Sequence, residues 1–277
     1  MTRTTRIKLI NALLTILAAV CVISVIIAIF YLGKCAMIEA LEEKGQQEYW
    51  TLDDIVKNDD TIPVEEKLQE VQPEEPTEIL PEYKDFASEY PNFAGWLTIP
   101  DTDFSYPVML APESDPNYYL YHTYDGDYNT IGCPYIPYYG SYNSDNVIIY
   151  GHHIKNHRVF GFLDYYRDED FYNNNRFLYF DTPYQHRIYE IVSVMIISVN
   201  DPVFHFQSYI DWNTLGQSHF YNQQCYDRNI HESDTMPEDG AKLLTLVTCE
   251  YSIPNGKGRL VIVARDVTYY GPINESN

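Results

Sequence analysis

Thr245-Leu246-Val247-Thr248-Cys249 is the stretch that decides the fold of this chain, because an apolar run rich in Leu, Val and Thr ends there on a thiol. Residues 243–249 have the composition of a buried strand. After a turn containing Pro, Gly and Lys, a second run over residues 259–267 begins with Arg259. The two runs predict a hairpin-like pair of strands, with a thiol at the end of one arm and a fixed positive charge at the start of the other.

The thiol of Cys249 is the first candidate for chemistry. Only the thiolate attacks carbon, and a nearby cation or base favours that form. A buried structural cysteine is the alternative interpretation. The position of Cys249, between a strand and a polar loop, favours the nucleophile, and Gly151-His152-His153 supplies a histidine that could serve as its base.

Short apolar runs separated by Asp, Asn, Gly and Pro extend outward from this pair, and they predict further strands. The eight predicted strands cover residues 95–99, 106–110, 132–136, 146–150, 177–180, 187–199, 242–248 and 260–267. Helical insertions are predicted at residues 159–166, 168–174 and 211–225, with an N-terminal helix within 79–90. The fold class is therefore mainly β, a closed eight-stranded barrel with peripheral helices.

The N-terminal part of the chain predicts a membrane anchor. Residues 9–32 contain no charged side chain and are long enough to cross a bilayer as one helix. Arg3, Arg6 and Lys8 precede this run, so residues 1–8 are expected in the cytoplasm and everything after the span outside the cell membrane. A cleaved signal peptide and a lipid-modified Cys35 are the alternatives; the apolar run exceeds the usual length of a signal peptide.

An acidic spacer, residues 33–90, is predicted between the span and the catalytic domain, which covers residues 91–271 and is followed by a polar tail, 272–277. Residues 39–90 hold 17 acidic and 4 basic side chains, which favours a solvated, partly helical segment over a cation site. The formal charge of -22 for the whole chain excludes nucleic acid as a partner. Of the five cysteines, Cys133 and Cys225 could pair only if the fold brings them together.

The segment ending at Cys249 resembles the Thr-Leu-x-Thr-Cys signature of sortases, the membrane-anchored cysteine transpeptidases of Gram-positive surfaces. Further blocks, in the same order along the chain, resemble those of class B sortases. They are Trp96-Leu97-Thr98-Ile99-Pro100, Tyr106-Pro107-Val108, Tyr119-Leu120, Asn146-Val147-Ile148-Ile149-Tyr150-Gly151-His152-His153, Phe160-Gly161 and Asp170-Phe171-Tyr172. The resemblance covers roughly residues 92–267, and it implies a sortase-type barrel.

The resemblance also implies roles for three residues. Cys249 would be the nucleophile, His152 the general acid and base, and Arg259 the group that stabilises the oxyanion or holds the substrate backbone. Arg265 is the alternative cation, although a regular strand would carry it about 20 Å further along. His153 would point away from His152 on a continuing strand. No metal or organic cofactor is implied.

The neighbours of the thiol are candidates for substrate binding: Val247, Thr248, Tyr251 and Ser252. By resemblance, the enzyme would cleave a C-terminal pentapeptide sorting signal of a secreted protein after its Thr, through a thioester. It would then transfer the protein to an amine of a peptidoglycan precursor or a pilin. The alternatives are a cysteine protease that hydrolyses the same acyl-enzyme and a non-catalytic tethered domain that binds peptides.

Overall fold

The computed structural model describes residues 77–155, 157–233 and 235–268, and the structural statements below concern these residues. The predicted cytoplasmic segment 1–8, the predicted span 9–32, most of the spacer 33–90 and the tail 272–277 lie outside them. Across the described ranges, none of the helices combines the length and the apolar character that a bilayer crossing requires.

Eight strands close into a barrel in the order β1-β2-β3-β4-β9-β10-β8-β7, which confirms the predicted architecture. The strands are β1 (Phe93–Thr98), β2 (Ser105–Leu110), β3 (Tyr135–Ile136), β4 (Asn146–Tyr150), β7 (Phe177–Asp181), β8 (Ile188–Ser198), β9 (Leu243–Glu250) and β10 (Gly258–Asp266). Two short strands, β5 (His153–Ile154) and β6 (Arg158–Val159), form a separate ribbon. Neighbouring strands run antiparallel except at the β2–β3 and β4–β9 pairs.

Most predicted strands differ from the observed ones by one or two residues at their ends, and two of the differences bear on the site. β9 continues through Cys249 to Glu250, so the thiol is carried by the strand itself and does not follow its end. Of the predicted strand 132–136, only Tyr135–Ile136 pairs. Gly132 has a φ of +67° within a turn, and Pro134 has no N–H to donate, so pairing begins only after them.

The helices lie outside the eight barrel strands, and the longest of them packs on the outer face of the sheet. They are α1 (Lys84–Glu89), α2 (Glu169–Asn174) and α3 (Leu215–Arg228), with 3-10 helices at Pro81–Tyr83, Tyr118–Leu120, Phe160–Arg167, Phe206–Ser208 and Pro254–Gly256. α3 begins four residues later than the sequence predicted. Thr214 has extended backbone angles and its side chain accepts a hydrogen bond from the Gln217 N–H, which caps the helix at that point.

Two apolar clusters lie on the two sides of the sheet. The barrel interior is filled by alternate strand residues, among them Leu97, Ile149, Leu244, Leu246 and Ile262. The second cluster lies between α3 and the outer face of the sheet, and it includes Val247, Val261, Met195, Phe220 and Tyr221. Successive residues of a strand point to opposite sides, so Leu246 belongs to the interior and Val247 to the outer cluster.

We expect Leu246→Ala to lower the free energy of unfolding by about 2–5 kcal/mol, because it leaves a cavity in a fully buried part of the barrel. Ile188→Ala is a matched control, since Ile188 also lies on a barrel strand but is 40% exposed. Ile188→Ala should lower the free energy of unfolding by less than about 1 kcal/mol. Urea denaturation followed by tryptophan fluorescence measures both values, and equal losses would contradict the assignment of Leu246 to the core.

Candidate active site

Cys249 and Arg259 lie directly opposite each other on neighbouring strands. β9 and β10 are antiparallel, and their register pairs the Cα atoms of these two residues. Residues directly opposite in an antiparallel pair project to the same face of the sheet. The predicted pair of strands is thus confirmed, and its thiol and guanidinium leave the barrel wall side by side on the outer face.

Val247 and Thr248, both predicted to bind substrate, are buried beside the thiol. Val247 is on the same face as Cys249 and packs in the outer apolar cluster, with 1% exposure. Thr248 points the other way, and its hydroxyl donates to the Gly151 carbonyl over 2.9 Å. The structure therefore gives both residues a role in holding the thiol strand, and their contact with substrate stays a prediction.

The parallel pairing of β4 and β9 brings the segment of His152 to the strand that carries the thiol. Tyr150 is the register partner of Val247, and the Gly151 N–H donates to the Val247 carbonyl over 3.1 Å. His152 comes two residues after Tyr150, and Cys249 comes two residues after Val247. Gly151 is required at this position, because a Cβ there would lie 2.5 Å from the ring of Phe160.

The imidazole of His152 has one ring nitrogen free to act. Nε2 is buried and has no hydrogen-bond partner, while a hydrogen bond with the Leu120 backbone falls to the other nitrogen. The ring of Tyr121 lies edge-on to the imidazole, with 5.8 Å between centroids. Burial lowers the pKa of His152, and the bond with Leu120 opposes this shift only in part. The site thus holds a neutral imidazole whose Nε2 can accept a proton.

Tyrosine side chains form a wall beside the thiol that sequence reasoning did not identify. The rings of Tyr135 and Tyr150 lie 5.9 Å apart, and Tyr139 forms a hydrogen bond with Tyr150. Burial raises the pKa of Tyr135 well above its usual value, and nearby Cys249 raises it further, whereas Arg259 lowers it. The phenols of Tyr135 and Tyr150 therefore stay protonated. The position of Tyr150 directly before Gly151 is the sequence signal that could have indicated the wall.

The guanidinium of Arg259 is oriented by the turn that precedes it. Its Nη1 donates to the carbonyl oxygens of Gly256 at 3.0 Å and Gly258 at 2.7 Å. The remaining N–H donors of a guanidinium, on Nη2 and Nε, are not used by these bonds and are available in principle to an oxyanion or a peptide carbonyl.

Arg265, the alternative cation, is engaged elsewhere. It lies opposite Leu243, at the other end of the β9–β10 pair from Cys249. Its Nε and Nη2 donate to one carboxylate oxygen of Glu190, at 3.0 and 2.7 Å. This ion pair leaves Arg259 as the cation beside the thiol on this strand pair.

Tyr251 and Ser252, the other two predicted contacts for substrate, follow the thiol in the loop. Tyr251 is 68% exposed and its ring lies edge-on to the imidazole of His153 at 5.2 Å. The backbone N–H and the hydroxyl of Ser252 both donate to Glu250 Oε2, at 2.9 and 2.6 Å. Tyr251 is therefore accessible to a ligand, while the hydroxyl of Ser252 is held by Glu250.

The three described cysteines differ in environment. Cys133 and Cys225 are buried and unpaired, whereas Cys249 is partly exposed and also unpaired. Burial raises the pKa of the Cys133 thiol to about 12, and it also raises that of Cys225. Cys249 is thus the accessible thiol of the described domain. Within the described ranges, no three His, Cys, Asp or Glu side chains are grouped closely enough to hold a metal ion.

Comparison with known proteins identifies relatives of the whole barrel. The Sortase domain family matches residues 97–267. Sortase B of Listeria monocytogenes is 26% identical over 193 residues, which cover 69% of this chain and 76% of the relative. Sortase B of Staphylococcus aureus is 22% identical over 212 residues, which cover 73% of this chain and 81% of the relative.

Solved structures share the fold. Sortase B from Bacillus anthracis in complex with AAEK1 has a TM-score of 0.61 and 27% identity, over 72% of this chain and 90% of that one. A Staphylococcus aureus sortase B-substrate complex has a TM-score of 0.62 and 20% identity, over 83% of this chain and 94% of that one. The barrel and its insertions therefore follow an arrangement seen in several solved proteins.

We expect iodoacetamide to alkylate Cys249 at least about tenfold faster than Cys133 or Cys225 in the native protein, because burial limits access to the latter two and disfavours their thiolates. Mass spectrometry of tryptic peptides over a time course measures the three rates. In denaturant the three rates should converge, which is the control. Equal rates in the native state would contradict the different environments of these thiols.

Proposed function

The chain belongs to the sortase family, in class B, and from this premise we propose that it is a membrane-anchored cysteine transpeptidase that attaches secreted proteins to an amine at the cell surface. Sortases are cysteine transpeptidases that act on proteins carrying sorting signals. The proposal for this chain extends to its catalytic residues, its bond specificity and its location.

In the proposed reaction, Cys249 attacks the carbonyl carbon of the peptide bond that follows the Thr of a C-terminal pentapeptide signal. His152 Nε2 accepts the thiol proton and returns it to the leaving amine, so that bond cleavage leaves a thioester on Cys249. An amine of a peptidoglycan precursor or a pilin then attacks the thioester, forms the new amide and releases the thiol. Arg259 donates to the oxyanion of each tetrahedral intermediate or to the peptide backbone.

The observation that carries this function is the unpartnered Nε2 of His152. A buried polar atom without a hydrogen-bond partner is uncommon in folded proteins and needs an explanation. The parallel pairing of β4 and β9, whose register ends at Tyr150 and Val247, supports the proposal that Cys249 gives its proton to this nitrogen during the reaction. A base with a free acceptor beside an accessible thiol is the arrangement that acyl transfer requires.

The location rests on the sequence. Residues 9–32 are the proposed single span, residues 1–8 the cytoplasmic end and the barrel the extracellular catalytic domain. The acidic residues 33–76 are proposed to separate the barrel from the bilayer, because their charge favours solvation over packing. The end of the predicted spacer packs on the barrel instead, through Tyr83, Phe86 and Tyr90. This topology would present the thiol to secreted proteins and wall precursors on the same side of the membrane.

We expect the protein to cleave a subset of a pentapeptide sorting library and, when an amine such as triglycine is present, to join the acyl part to that amine. Cys249→Ala should abolish the product and the thioester adduct. Mass spectrometry identifies the cleaved bond and the product. Hydrolysis with or without amine would identify a protease, and binding with no turnover would identify a non-catalytic peptide-binding domain.

The acidic limb of the pH profile of kcat/KM, where the rate falls as His152 becomes protonated, should lie below pH 6.5, the usual pKa of histidine. Burial lowers the pKa of His152 and so keeps its ring neutral to lower pH. Tyr121→Ala should move this limb to higher pH, since it removes a ring that covers the imidazole. A pH–rate profile for both proteins measures the effect. A limb at or above 6.5 in the unmodified protein would contradict the role of burial.

A further inference from the structure

The proposed base and the proposed nucleophile are each followed directly by a side chain of one polar network. His153 follows His152, and Glu250 follows Cys249. Two residues of the helical segment after the β5–β6 ribbon, Asp164 and Arg167, join these neighbours to each other. The network therefore links the segment that carries the imidazole to the strand that carries the thiol.

The links are short enough to be direct. His153 Nε2 lies 2.6 Å from Asp164 Oδ2, and Arg167 Nη1 lies 3.8 Å from Asp164 Oδ1. On its other side, Arg167 Nη2 donates to Glu250 Oε1 over 3.0 Å. The guanidinium thus bridges two carboxylates, one from each side of the site.

Glu250 is the anchor of this network because its carboxylate is buried, with 4% exposure. Burial alone raises the pKa of this carboxyl, but hydrogen bonds from Ser252 and Arg167 outweigh it, so the pKa lies below its usual value. A buried charge with such partners resists displacement, since losing a partner would leave it unpaired.

The start of β10 also packs against Glu250. A Cβ at Gly258 would lie 2.5 Å from the Glu250 carbonyl oxygen and 2.9 Å from Oε2. Gly258 directly precedes Arg259, so the position of Glu250 also sets where the proposed oxyanion donor leaves the strand. One buried carboxylate therefore contacts the loop after the thiol, the start of the arginine strand and, through Arg167, the histidine segment.

We propose that Asp164, Arg167 and Glu250 are positioning residues that fix the imidazole of His152 relative to the thiol of Cys249. The proposal rests on the proposed function of Cys249 and His152. A displacement of about 1 Å between reacting groups can lower a rate by about 100-fold, so a network that couples the two backbones would act on the chemical step. It acts through position: His153 and Glu250 directly follow the reacting residues, and Asp164 and Arg167 join these two side chains to each other.

The first test is Arg167→Gln, which removes the bridge between the two carboxylates. We expect kcat for transpeptidation to fall by about 10- to 100-fold with KM within about twofold, because peptide contacts stay in place while the reacting groups lose alignment. We also expect iodoacetamide to alkylate Cys249 more slowly, because the imidazole is then less well placed to accept the thiol proton. Arg167→Lys should restore part of both effects.

The matched control is Arg265→Gln. It removes an arginine of similar exposure whose guanidinium also binds a glutamate, at 2.7 Å, but at the far end of β10. This variant should leave kcat and the alkylation rate within about twofold of the unmodified protein. Equal losses in the two variants would show a general effect of removing surface charge and would overturn the proposal.

A second variant separates positioning from stability. Arg167→Gln leaves the buried carboxylate of Glu250 without its cation and can lower the melting temperature. The double variant Arg167→Gln/Glu250→Gln removes both charges and should recover most of the melting temperature while kcat stays low. Recovery of kcat together with stability would mean that the network only supports the fold. If neither variant folds, Asp164→Asn applies the same test at a more exposed carboxylate, with the same two readouts.

Alkylation of Cys249 needs no peptide, so the two proposals can fail independently. If the unmodified protein turns over no sorting peptide but Arg167→Gln slows alkylation, the proposed function is wrong and the positioning network stands. If the unmodified protein is active and Arg167→Gln changes neither kcat nor alkylation, the positioning network is wrong and the function stands.

Discussion

The parallel pairing of β4 with β9 is the interaction on which the rest of the site depends. A buried polar cluster fixes its register at one end, where the Thr245 hydroxyl donates to Asn146 Oδ1 over 2.7 Å and lies 3.0 Å from the Tyr221 hydroxyl. At the other end Thr248 binds the Gly151 carbonyl. A slip of one residue would turn every side chain of β9 to the opposite face and carry the thiol into the barrel wall. Polar groups buried at both ends make such a slip costly, because they would lose their partners.

The features predicted from sequence are those that depend on local pattern. Apolar runs bounded by turn residues gave the eight strands, and the position of Arg259 after a short turn gave its pairing with Cys249. Contacts between distant segments could not be predicted from local pattern. The partner of His153 is 11 residues away and that of Glu250 is 83 residues away, and nothing in the composition near either one indicates Asp164 or Arg167. The start of α3 was also missed, because the capping by Thr214 depends on backbone angles.

The environment of the site combines aromatic and charged side chains. Tyr121 lies beside the imidazole and Tyr135 near the thiol, and Arg259 is close enough to Tyr135 to lower its pKa. The network through Glu250 lies on the side of the loop that follows the thiol. The rings limit the access of water, which favours a neutral imidazole and strengthens charge interactions nearby. The chain is strongly acidic overall, so Arg259 beside the thiol is a local exception.

The placement of the thiol on the outer face of the barrel has an evolutionary consequence. The interior side chains, such as Leu244 and Leu246, touch neither the thiol nor the charged network, because they point to the other side of the same strand. Volume-conserving exchanges inside a core usually keep the fold. The interior can therefore accept such exchanges during evolution without disturbing the charged network outside. The demands of interior packing and of chemistry fall on alternate positions of a single strand.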